Sequence, residues 1–165
     1  MKLFFISFLF LSGCGDGIGG CDFIESNLCV RTNGFEIDQN ILSETINIVD
    51  KNLDFFFQKS NNIQTTFEEN NVRLWYVERL KSENRGETNN DGLMTIKHSE
   101  CFDNYYVPAH EMLHVFAYFE MLVPNKDNSA HNVPNLFWED NKATVESGVA
   151  FDLQLLLYDF CNLEG

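Results

Sequence analysis

The chain has 165 residues, room for one compact domain and too few for two comfortable ones. Its 25 Asp and Glu against 11 Lys and Arg give a formal charge of −14, which repels phosphate backbones and argues against nucleic acid as a partner. Apolar residues make up 44% and charged residues 22%, with 16 Phe, a composition that excludes a disordered chain and predicts a packed core.

Residues 1–13 carry a single charge, Lys2, then a nine-residue stretch of mostly Leu and Phe from Leu3 to Leu11, then Ser12 and Gly13. A membrane-spanning helix needs about 20 apolar residues, so this segment reads as an export signal. Leu11-Ser12-Gly13-Cys14 resembles the lipobox of bacterial lipoproteins. That resemblance implies cleavage before Cys14, lipidation of Cys14 and attachment to a membrane of the bacterial cell envelope through the lipid. Gly15 stands where some bacteria place the Asp that retains lipoproteins at the inner membrane, which points to the outer membrane or the cell surface. The Gly-rich residues 14–21 read as a tether, and residues 22–165 as the folded domain.

Beyond Cys14 the chain has Cys21, Cys29, Cys101 and Cys161, an even number suited to disulfides in an oxidising compartment. Of the three possible pairings, proximity favours Cys21 with Cys29, which leaves Cys101 with Cys161. A four-thiolate zinc site lacks the expected Cys-x-x-Cys pair.

Ile37, Ile41, Leu42, Ile46, Val49, Leu53 and Phe57 recur at helical spacing and predict a long amphipathic helix. Residues 72–80, rich in Val, Trp and Tyr, read as a strand, and the polar residues 81–92 as a loop. Residues 93–98 read as a second, short strand at a sheet edge. Residues 107–123 are apolar on nearly every side and predict a buried helix bounded by Pro108 and Pro124. A last helix is expected over 140–160, with Val145, Val149, Leu153, Leu156, Leu157 and Phe160 on one stripe.

Inside the buried helix stands His110-Glu111-Met112-Leu113-His114. Two His four residues apart project from one face, so both imidazoles can reach one metal ion, while Glu111 stands beside them, placed to hold a water. The motif resembles that of the zincin metallopeptidases. The resemblance implies a small zincin-like α+β domain: a short mixed sheet, the buried motif helix, and flanking N-terminal and C-terminal helices. It makes His110 and His114 ligands of Zn2+, Glu111 the general base, and a protein or peptide the substrate.

A catalytic zinc needs a third protein ligand, and four residues compete for the place. His131 precedes Asn135-Leu136-Phe137, which is similar to the turn beneath the metal in metzincin-like proteins, with Phe where Met is expected. Glu120 has the metzincin spacing from His114, but Ala117 replaces the Gly that lets the chain turn back, and a continuing helix points Glu120 away. Glu139 and Glu146 resemble the later Glu of gluzincins; Glu146 shares a face with Ala150, Leu153 and Leu157 and should point inward. His131 is the first choice and Glu146 the alternative. His98, Tyr105 and Tyr106 are weaker candidates, for substrate contact or an oxyanion donor. Ala117 and Phe137 also leave open a non-catalytic metal-binding or interaction lipoprotein of the cell surface.

Overall fold

The computed structural model describes residues 20–58, 62–121 and 129–162. The export segment and Cys14 lie outside the described residues, as does Pro124. The domain is α+β, with four α-helices and one five-stranded mixed sheet among the described residues.

The described residues begin with a hairpin of β1 (Phe23–Glu25) and β2 (Leu28–Arg31), turned by Ser26 and Asn27 at φ 49° and 67°. Two consecutive left-handed residues are what a tight two-residue hairpin requires. The Cys21–Cys29 disulfide clips this hairpin, and Cys101–Cys161 is the second bridge, both paired as expected.

Helix α1 (Gln39–Phe57) starts where Asp38 accepts hydrogen bonds from the amides of Asn40 and Ile41. It buries Leu42, Ile46, Val49 and Leu53 in the core and leaves Phe57 half-buried. Helix α2 (Ile63–Glu69) follows; its seven residues are too few to show a period in the sequence. Strand β3 (Arg73–Val77) falls within the expected 72–80.

The polar stretch 81–92 is not wholly loop. Gly86–Thr88 forms β4, antiparallel to β5 (Leu93–Lys97). The sheet order β1-β2-β3-β5-β4 makes β5 an interior strand and β4 the edge, which corrects the expectation for 93–98. Gly-Glu-Thr has no apolar residue to announce a strand, and an edge strand needs none. Strands β2, β3 and β5 run parallel. Leu74, Tyr76, Met94 and Ile96 all face the helices, fully buried.

Helix α3 (Asp103–Phe119) begins and ends about one turn earlier than its apolar run, so Pro108 lies inside it. Proline has no N–H for the carbonyl of Asn104 four residues back. The buried hydroxyl of Tyr76 donates to that carbonyl instead, at 2.8 Å. Helix α4 (Val145–Leu157) is shorter than 140–160 because Thr144 and Ser147 form a reciprocal cap. Val145, Val149, Leu153 and Leu157 are buried, while Phe160 lies beyond the helix and is exposed. Gly148 meets α1 closely: a Cβ there would run into Asn52 Oδ1.

Candidate metal centre

The helical repeat of α3 puts His110 and His114 one turn apart with their Nε2 atoms 3.3 Å from each other. A short 3₁₀ helix, Ser129–Asn132, brings in His131, whose Nε2 is 3.1 Å from that of His114. The ligand atoms of the three lie within 4.8 Å of one another, a group that could hold a metal ion. Phe137 packs against all three imidazoles, ring centroids 5.3, 4.7 and 4.6 Å away. The turn that carries it has Asn135 at φ 63° and is tied to the start of α4, where the amides of Val145 and Glu146 donate to the carbonyls of Asn135 and Leu136.

That tie places Glu146 behind His110. Its Oε1 is 2.7 Å from His110 Nδ1 and accepts from the Tyr106 hydroxyl at 3.0 Å; its Oε2 accepts from the Trp138 amide at 2.7 Å. A carboxylate on Nδ1 fixes the imidazole proton there and leaves Nε2 with its lone pair. Burial opposes the Glu146 charge, but its bond to His110 and the amide and hydroxyl donors outweigh it and hold the carboxyl down at about 2. Burial also opposes a proton on His110, and the same carboxylate overrides it, so His110 sits above its ordinary value. Burial and the neighbouring imidazoles push His114 down to about 3; burial and His110 lower His131. Both shifts favour the neutral imidazole, the form able to bind a metal. Tyr118 brings its hydroxyl 3.3 Å from His114 Nδ1.

Glu111, only 5% exposed, turns toward the sheet, where its Oε2 accepts from the Thr88 hydroxyl at 2.5 Å. Burial raises its carboxyl against the opposing pull of Thr88 and His110. The three His, Glu111 and β4 share one groove of about 740 Å³.

The other candidates lie elsewhere or serve differently. Glu120 continues the helix and accepts from Thr66 on α2 at 2.6 Å. Glu139 is half-buried and paired with Lys142. His98 stacks on Phe35, centroids 4.2 Å apart, and the Tyr105 hydroxyl accepts from the Asp38 amide. Tyr106 lines the groove and holds Glu146. Gly86, Thr88 and Tyr118 belong to the site and were not singled out by the sequence; Gly86 and Thr88 sit in a polar stretch, and Tyr118 reads as one more aromatic of an apolar helix. No protein-family model, curated protein or solved structure matches the chain, so the functional reading rests on this geometry.

Proposed function

We propose that the chain is a zinc-dependent peptidase carried on an envelope lipoprotein. The observation that carries this reading is the convergence of three imidazole Nε2 atoms beside a buried, hydrogen-bonded Glu111 in one groove. Tetrahedral zinc bound at about 2.0–2.1 Å separates its ligands by roughly 3.3 Å, and the two Nε2 separations of 3.3 and 3.1 Å suit that spacing. An all-imidazole set suits zinc among the first-row metals, and Glu146 behind His110 supplies the outer carboxylate such ligands use. In this reading His110, His114 and His131 hold the ion, and Glu146 orients a ligand.

Bound zinc would supply Lewis acidity to a substrate carbonyl and to water. Glu111 takes the proton of the attacking water and passes it to the leaving amine, the task of a general base turned acid. Edge strand β4, in place of β5, borders the groove and offers an extended peptide a strand to join. The two disulfides support export to an oxidising compartment. Cys14 is the proposed lipid anchor.

The test is a screen of the zinc-loaded protein against a mixed peptide library, read by mass spectrometry. Cleavage that falls at least about 100-fold in Glu111→Gln, with zinc retained, supports the reading. Undiminished cleavage removes Glu111 from the chemistry, and zinc binding without any cleavage leaves the non-catalytic metal-binding alternative.

A further inference from the structure

We infer that Thr88 is a positioning residue for Glu111, acting from the edge strand and assisted by the bare backbone of Gly86; the inference rests on the peptidase reading above. A carboxylate as buried as Glu111 needs a hydrogen-bond donor. The Thr88 Oγ1 lies 2.5 Å from Glu111 Oε2 and 3.4 Å from the Glu111 carbonyl oxygen. Its single proton therefore goes to the carboxylate.

The second carboxylate oxygen is placed by an absence. A Cβ on Gly86 would lie 2.6 Å from Glu111 Oε1 and 2.6 Å from Val107 Cγ1, so any larger residue there would displace the Glu111 carboxylate or the Val107 side chain. The register explains why these two residues act together. Gly86 pairs with Ile96 and Thr88 with Met94, both fully buried toward the helices, so both β4 residues share the face that meets α3. Glu87, between them, faces the other way. One strand thus holds one oxygen of the base with a donor and keeps the space beside the other clear. A base whose rotamer is fixed beforehand loses no time searching for its water.

The experiment compares Thr88→Val, which keeps the branched shape, with Thr88→Ser, which keeps the hydroxyl. On a peptide that the zinc-loaded wild type cleaves, Thr88→Val should lower kcat about 10- to 100-fold, with KM and zinc affinity little changed. Thr88→Ser should recover most of the loss. In metal-free protein, the unfolding midpoint should drop further for Thr88→Val alone than for Thr88→Val added to Glu111→Leu, because the coupling is between those two side chains. Full kcat in Thr88→Val overturns the positioning role alone. Equal midpoint shifts in the two backgrounds overturn the bond itself. A zinc-loaded wild type that cleaves nothing overturns the peptidase reading and the positioning role of Thr88 with it, whatever the midpoint shifts show.

Discussion

Glu146 meets His110 at 2.7 Å through Nδ1, while the Nε2 of the same ring lies 3.3 Å from that of His114. The carboxylate is therefore on the opposite side of the imidazole from the converging nitrogens. In the proposed zinc site it would act on a ligand from behind. Replacing Glu146 with Ala should weaken metal binding about 10- to 100-fold without changing the stoichiometry. Competition against a chromogenic chelator measures both quantities.

The Cys101–Cys161 bridge closes a chain segment with a sequence separation of 60 that contains His110, Glu111, His114, His131 and Glu146. Replacing both Cys with Ser should cost about 2–4 kcal/mol of stability, since the unfolded chain regains the freedom the bridge removes. Chemical denaturation of the metal-free protein checks the value.

Tyr76 and Pro108 form a coupled pair in the helix that carries the motif. Tyr76→Phe leaves the buried Asn104 carbonyl without the hydroxyl and should cost about 1–3 kcal/mol. Pro108→Ala restores an amide able to reach that carbonyl, so the cost of Tyr76→Phe should shrink in the Pro108→Ala background. Thermal unfolding of the four proteins tests the cycle.

Asp50 accepts from the Ile63 amide at 2.7 Å and so ties α2 to α1. Burial raises its carboxyl above the ordinary 3.8, against that bond, with Asp54 adding to the rise. A carboxyl harder to ionise in the folded than in the unfolded state weakens folding as pH rises from 3.8 through the raised value. Asp50→Asn keeps an acceptor and does not titrate. Its stability relative to the wild type should therefore be greater at pH 7 than at pH 3, as read from unfolding midpoints.

The motif helix was legible because two His and a Glu on an almost wholly apolar segment have few other uses, and α1 because its apolar residues keep a clear 3.6-residue period. The 3₁₀ helix brings the Nε2 of His131 to 3.1 Å from that of His114, a placement that the sequence suggests only through the position of His131 before Asn135–Phe137. The helical stripe places Glu146 inward, where it lies; its bond to His110 is not legible, since this depends on the Asn135–Phe137 turn docking onto α4. Strand β4 was hidden for a different reason. Gly86, Glu87 and Thr88 bury almost no apolar surface, so the periodicity that reports burial says nothing about them. Their place comes from pairing with β5 and contact with Glu111, both set by tertiary structure. The early start of α3 was hidden too, because Pro108 marks a helix start only when no hydroxyl is at hand for the orphaned carbonyl.

The most direct test of the central claim is the coordination of zinc in the loaded protein, by X-ray absorption spectroscopy on the wild type and on His131→Ala. One zinc per chain is expected, with three imidazole ligands and one oxygen ligand from solvent, and one imidazole fewer in His131→Ala. Four protein ligands, a shell unchanged by His131→Ala, or no bound zinc would contradict it.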